Sequence, residues 1–246
     1  MILSIDIGNS RTKCGAYEGP QLLWVQSIPT DQLAIGLAGI LHAIPSETVL
    51  QVGWISVAGI NPENFPFWQR FIPPPRFVHI HSEMALPIVN QYQTPHTLGT
   101  DRIVGVIGAQ QLTGAGTPVL VIDAGTALTY DFADASGAYL GGGIAPGIRM
   151  RFEALHHFTA KLPLLDVVED TALVGRDTAT SIQSGVVCGI LSEVDGIIAR
   201  YRAEYGPETN IVLTGGDVSF FDKKLKNINF ADANLLLRGI YHIVTQ

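Results

Sequence analysis

Residues 1–13, MILSIDIGNSRTK, read as an apolar strand that ends at Asp6, a turn through Gly8, Asn9 and Ser10, and a second strand that carries Lys13. Backbone N–H groups in a tight glycine-containing turn form an anion-binding concavity, and a neighbouring carboxylate can hold a cation that bridges phosphate oxygens. A single turn of this kind is equally a hairpin end, with glycine at a positive φ and Asn or Asp bonding its own backbone. Two later stretches repeat the pattern. DAGTA (123–127) follows the apolar run Val119–Ile122, and LTGGD (213–217) follows Ile211–Leu213. Three turns that leave acid, hydroxyl and bare backbone at strand ends favour nucleotide phosphate as the common ligand. Neither GxxxxGK[ST] nor GxGxxG occurs, so the usual glycine-rich phosphate loops are absent.

Working outward, MILSID, RTKCGAYE and QLLWVQSI predict three consecutive strands joined by turn residues. A helix over Asp31–Ala43, the strand LQVGWISV, a helix near Pro62–Phe71 and the strand RFVHI follow. A loop around Tyr92–Gly99 leads to DRIVGVIGAQQL, whose Ile103, Val106 and Ile107 recur at helical spacing. PVLVIDAGTALTYDF and GAYLGGGIAPGI then restart the strand, acidic turn, strand order, which reads as an internal duplication. A long helix is expected over 181–205, with Ile182, Val186, Ile190, Val194, Ile197, Ile198, Tyr201 and Tyr205 on its apolar side. Gly185 and Gly189 would let another helix approach it. The strand NIVLT and a helix over Asn234–Val244 close the chain. Alternation of β and α elements gives an α/β class.

The chain has 246 residues, 47% hydrophobic and 15% charged, enough to bury roughly 70–75% of its unfolded surface in one large domain or two lobes. A net charge of −7 with scattered Lys and Arg gives no footprint for nucleic acid or an anionic membrane. Mean hydropathy is high at +0.27, but the apolar runs break well before the roughly 20 residues that span a bilayer. Asp6 interrupts the first apolar run and no basic residue precedes it, so no secretory leader is expected and the cytoplasm is the expected location. Cys14 and Cys188 lack metal or CxxC spacing and read as reduced packing thiols.

DIGNSRTK, YQTPHTLGTDR, IDAGTALTYD, GGGIAPG, GRDTATSIQSG and LTGGD occur in that order along nearly the whole chain. Together they resemble type III pantothenate kinase, a family of the acetate kinase, Hsp70 and actin superfamily. TGGD is shared widely in that superfamily, whereas GTDR with its upstream Tyr and Pro is specific to the family. Two departures stand out: Ser10 where the family usually has Thr, which keeps the hydroxyl, and Arg176-Asp177 where Lys-Asn is commoner before Thr178. The resemblance implies two RNase H-like (actin-like ATPase) lobes, here 1–115 and 116–246, with a nucleotide cleft between them and a dimerisation helix in the second. It implies ATP-dependent phosphorylation of pantothenate to 4′-phosphopantothenate, with magnesium and a monovalent cation (potassium or ammonium). It also implies a homodimer whose active site is shared between chains.

The same resemblance assigns the residues. Asp101 is the catalytic base, which orients the substrate hydroxyl in line with the γ-phosphate; on the residues alone it could equally cap the helix that TDRI opens. Tyr92, Gly99, Thr100, Asp101 and Arg102 fall in the substrate segment, and Thr178 reaches across to the partner's substrate. Asp6, Ile7, Gly8, Asn9, Ser10, Arg11, Thr12 and Lys13 form the first ATP segment, with Asp6 near magnesium. Thr126 is a phosphate contact and Asp123 the monovalent-cation ligand. Arg102 and Lys13 could instead be solvated charges, and Tyr92 a half-buried loop aromatic. His156 and His157 lack metal spacing and read as surface or core histidines. Other readings are another small-molecule kinase or a phosphatase of the same superfamily, or a non-catalytic accessory regulator.

Overall fold

A computed structural model describes every residue except Ser46, Ile72 and Ala115. The chain divides into two compact units, residues 1–112 with 234–246, and residues 113–233.

In the first unit, β1 (Ile2–Ile7), β2 (Arg11–Glu18) and β3 (Gln21–Pro29) form an antiparallel meander. β4 (Gln51–Ser56) adds parallel to β1, and β5 (Arg76–His79) parallel to β4, giving the order β3-β2-β1-β4-β5. Alternation along β1 sends Leu3, Ile5 and Ile7 to one face, where they meet Leu33, Leu37 and Leu41 of α1 (Leu33–His42). The other face is made of small residues. Ser4 pairs with Gly15 on one neighbouring strand and with Gly53 on the other. The C-terminal helix α6 (Leu235–Val244) settles on this flat row: a Cβ on Gly15 would lie 2.9 Å from Leu237, and one on Gly53 would lie 2.6 Å from Val244. α2 (Thr100–Thr113) crosses α6 just as closely, since a Cβ on Gly108 would meet the Leu235 carbonyl at 2.4 Å and one on Gly239 the Val104 carbonyl at 2.2 Å. The closing helix therefore belongs to the first unit rather than to the second lobe, because the glycine row that receives it lies on β1, β2 and β4. Ala115, where the expected boundary falls, lies outside the described residues.

The helix expected near Pro62–Phe71 is two short 3-10 turns, Pro62–Asn64 and Pro66–Arg70. Pro66 forces Phe65 into an extended conformation (φ −77°, ψ 127°), which ends the first turn.

In the second unit, β6 (Val119–Ala124), β7 (Ala127–Ala133) and β8 (Tyr139–Pro146) again form an antiparallel meander. β9 (Asn210–Thr214) is parallel to β6, and the two-residue β10 (Phe230–Ala231) parallel to β9. The order β10-β9-β6-β7-β8 repeats that of the first sheet strand for strand. The internal duplication is thus real, with Asp6 and Asp123 at equivalent strand ends. α3 (Ile148–His157), which sequence periodicity did not indicate, follows β8 directly. α4 (Thr178–Tyr205) starts three residues earlier than expected, at a capping box in which Asp177 accepts from Thr180 N–H at 2.9 Å. Its Ile182, Val186, Ile190, Val194 and Ile198 are buried against Leu120, Ile122, Leu128 and Phe132 of the sheet. By length and apolarity alone α4 would suit a bilayer, contrary to the expectation from broken runs; one side of it is instead the core of this unit. Within the chain nothing lies within 4 Å of a Cβ at Gly185 or Gly189; the close helix crossing inside the chain is at Gly108 and Gly239. α5 (Val218–Asp222) follows the LTGGD turn.

Candidate active site

In the first unit the chemistry gathers at the end of β1 and the start of α2. Asp6 and Lys13 are register partners on the face that carries Ser4, whereas Ile7 and Thr12, the next pair, point to the opposite face and are fully buried. Ile7 and Thr12 could thus meet a ligand only through their backbone. Thr30, which the sequence did not single out, braces the turn from beneath. Its hydroxyl donates to Gly8 O at 2.9 Å and its N–H to Ser10 O at 3.1 Å. Because that hydroxyl proton is spent on Gly8, Thr12, 3.1 Å away, is the donor to Thr30. The turn is tight: Gly8 N–H donates to Arg11 O at 3.1 Å, and a Cβ on Gly8 would sit 2.7 Å from that oxygen. Gly8 N–H is therefore engaged inside the turn, while Asn9 and Ser10 stand exposed at its tip. Arg11 is held on β3, donating from Nε to Ser27 Oγ at 2.7 Å and from Nη2 to Ser27 O at 3.1 Å.

Thr100 is the first helical residue of α2, so Asp101 stands inside the first turn and is not the cap. Its carboxylate folds back over Gly99, where a Cβ would lie 2.5 Å from Oδ1, and accepts from Arg102 N–H. Only glycine leaves that space. Burial raises the Asp101 carboxyl above its ordinary range, opposed by Arg102. Asp6 is pushed up to about 7, chiefly by burial and then by the charge of Asp101, against the pull of Lys13. That coupling places the two carboxylates in one electrostatic site. Arg102 is 8% exposed, and its guanidinium carbon lies 5.8 Å from the Tyr92 ring centroid. Tyr92 N–H donates to Asn90 Oδ1 at 3.0 Å, fixing the loop that presents the ring. The structure thus brings together Asp6, Lys13, Tyr92, Gly99, Asp101 and Arg102.

In the second unit three separated stretches converge on the turn after β6. A Cβ on Gly147 would meet the Thr126 and Gly125 carbonyls at 2.4 and 2.6 Å, and one on Gly215 the Ala124 carbonyl at 2.4 Å. Gly215 holds φ +103°, which a side chain would resist, and Asp217 N–H donates to Ala124 O at 2.9 Å. GGGIAPG and LTGGD are therefore walls of the DAGT turn. Thr126 is exposed on that turn, and Asp123 is half-buried at its base. Burial raises the carboxyl of Asp217, the acid of LTGGD, and Arg149 opposes the shift. Thr178, at the start of α4, lines a pocket of ≈ 530 Å³ with Leu155, Leu162, Ser181, Ile182 and Gly185. His156 and His157 are exposed; His156 Nδ1 bonds Leu162 O at 2.8 Å and His157 packs on Phe158. Among the described residues no group of three or more His, Cys, Asp or Glu gathers to hold a metal, so any ion here would draw most of its ligands from elsewhere.

Comparison with known proteins identifies the family. The family model for type III pantothenate kinase matches residues 2–200. The type III pantothenate kinase of Flavobacterium johnsoniae is 40% identical over 240 residues, covering 98% of this chain and 96% of its own. That of Phocaeicola vulgatus is 41% identical, covering 100% and 98%, and that of Listeria monocytogenes 32%, covering 98% and 95%. Among solved structures, a Campylobacter jejuni protein of the Baf family, described as a transcriptional activator, superposes with a TM-score of 0.62 at 22% identity, over 99% of this chain and 97% of that one. The inorganic polyphosphate/ATP-glucomannokinase of Arthrobacter superposes at 0.50 and 16% identity, over 100% and 98%. These two share the fold of paired RNase H-like lobes. With a family model that covers most of its length and relatives at about 40% identity end to end, the chain belongs to the type III pantothenate kinase family.

Proposed function

We propose that the chain transfers the γ-phosphoryl group of ATP to the 4′-hydroxyl of pantothenate, the first committed step towards coenzyme A. The observation that carries this reading is the coupled pair of carboxylates, Asp6 at the end of β1 and Asp101 in the first turn of α2, beside the buried Arg102. Asp101 accepts the hydroxyl proton as the new O–P bond forms and the γ-phosphorus parts from the β,γ-bridging oxygen, whose electron pair leaves on ADP. In a loose transition state its main contribution is to orient the nucleophile. A raised carboxyl suits it, since a stronger base receives the proton more readily. Arg102 and Tyr92 hold the pantothenate, and Gly99 and Thr100 shape the loop against it.

Asn9, Ser10 and Lys13 face the phosphates from the first turn, with the backbone of residues 6–13, and Thr126 from the second. Asp6 fits a magnesium ion: a carboxyl raised by burial and by a second acid is one that a nearby dication returns to its charged form. Asp6 would hold the ion there, and a bound magnesium would supply charge neutralisation at the transferring phosphates. Asp123, whose Oδ1 lies close over Gly125, offers the hard oxygen donor that potassium or ammonium takes. The reading places the enzyme in the cytoplasm as a homodimer. Phe158, Leu173 and Val174 of the second unit stand 81%, 79% and 71% exposed, an apolar surface that suits a partner chain.

A coupled ADP-release assay across pantothenate, pantetheine and a panel of small sugars tests the reading. Turnover with pantothenate alone supports it. Turnover with a sugar only, or none with any acceptor, overturns it in favour of another kinase of the superfamily or a regulator.

A further inference from the structure

Four elements of the second unit are linked through Glu193 of α4 and Arg151 of α3. Tyr130 of β7, itself 4% exposed, donates its hydroxyl to Glu193 Oε1 at 3.1 Å. Arg151 of α3 donates from Nη2 to Glu193 Oε2 at 2.8 Å and from Nε to Pro146 O, at the end of β8, at 2.9 Å. One carboxylate thus receives both donors, and one guanidinium spans α4 and β8. The carbonyl that Arg151 grips belongs to the residue before Gly147, whose backbone lies against the Gly125 and Thr126 carbonyls. Pro146 is also the register partner of Ala127, which accepts from Gly125 N–H at 3.1 Å and so closes the turn.

We infer that Tyr130, Glu193 and Arg151 are positioning residues that clamp the Pro146–Gly147 wall and thereby fix the Gly125–Thr126 turn on the phosphates of the nucleotide. The inference rests on the reading of that turn as a phosphate site. None of the three touches the reacting atoms. They act through backbone: with Arg151 in place, the Pro146 carbonyl cannot swing, and Gly147 cannot retreat from the turn. Arginine is required because a planar fork serves two acceptors at once, where a lysine ammonium on a flexible stem serves one well. The clamp also ties the turn to α4, the helix that begins with Thr178.

Titration of the whole protein with magnesium and a fluorescent ATP analogue, alongside thermal melting and steady-state kinetics, tests the clamp. Arg151→Met is expected to weaken nucleotide binding about 10-fold and raise the KM for ATP in step, with the KM for pantothenate within about 2-fold of the parent. Glu193→Gln and Tyr130→Phe should weaken binding less, about 3-fold each, and Arg151→Lys should recover part of the loss. The double variant Arg151→Met/Glu193→Gln should be little worse than Arg151→Met alone, because both break one chain of bonds. If Arg151→Met fails to fold, Tyr130→Phe, which removes only a hydroxyl, carries the same test. Nucleotide affinity unchanged in a variant that merely melts lower would overturn the clamp, as would a change confined to pantothenate. Should the parent itself bind no nucleotide, the phosphate reading fails first and the clamp with it. Parent binding with unaltered variants sinks the clamp alone.

Discussion

Asp101 and Asp6 carry opposite tests. As the proposed base, Asp101 must be unprotonated to act, and its carboxyl is raised by burial, so kcat/KM for pantothenate should climb with pH along a limb that lies above the ordinary aspartate range. Asp101→Asn should cost about 10²–10⁴ in rate with the fold kept. Near-parental turnover at an unchanged melting temperature would assign the base elsewhere. For Asp6 the folded value stands at about 7 against an ordinary 3.8, so the folded protein holds this proton more tightly than the unfolded chain does. Stability is then lost as pH rises from about 4 through 7. Asp6→Asn removes that loss: in metal-free buffer at pH 8 it should melt about 2–6 °C above the parent, and at pH 4 within a degree of it. Equal melting at both values would mean that the carboxyl is solvated. Both acids were legible in the sequence, as was the company of Tyr92, Gly99 and Arg102. What was not legible is which residues of 6–13 share a face. Strand alternation takes Ile7 and Thr12 into the core, and Thr30, whose bonds shape the turn, lies 22 residues away from Gly8.

At the level of elements, small residues decide where helices dock. Gly15, Ser4 and Gly53 leave a flat row for α6, and Gly108 and Gly239 let α2 cross it at backbone distance. Gly108→Ala should therefore destabilise the protein by about 1–3 kcal/mol in denaturant unfolding, since its Cβ would meet a carbonyl oxygen at 2.4 Å and not the end of a flexible side chain. A neutral or stabilising result, as propensity alone would give, would show that α2 and α6 are free to part. The spacing of Gly185 and Gly189 showed in the sequence, whereas Gly108 and Gly239 did not stand out, because what makes a glycine necessary is the surface it meets, and a single sequence does not reveal that surface. α3 was missed for a related reason. GAYLGGGIAPGI reads as a closing strand, and β8 does run through it to Pro146; Gly147, packed on the Gly125–Thr126 turn, then takes the chain directly into a helix. The strands, whose apolar alternation is local, were placed to within about two residues, except the two-residue β10, which is too short to show any alternation.

For the whole molecule, the duplicated sheets show that one strand-and-turn plan was used twice, and each copy ends in an aspartate, Asp6 or Asp123. The residues proposed to hold substrate are divided as well: Tyr92, Gly99, Asp101 and Arg102 lie in the first unit, and Thr178 in the second. α4 leaves Gly185 and Gly189 exposed with nothing packed on them, beside apolar residues in the open. This suits a two-fold contact in which Thr178 of each chain serves the pantothenate held by its partner's Asp101. Mixing chains distinguishes that arrangement from a site within one chain. In a mixed dimer of Asp101→Asn and Thr178→Val chains, a shared site receives either both substitutions or neither. With random exchange about half of the dimers are mixed, each with one intact site of two, so activity should approach about a quarter of the parent's, provided each variant alone is poorly active. Were the site contained in one chain, every site in the mixture would carry one substitution, and activity would stay at the mean of the two variants. Mass spectrometry of tagged chains establishes that exchange has occurred, and activity at that mean after full exchange would confine the site to a single chain.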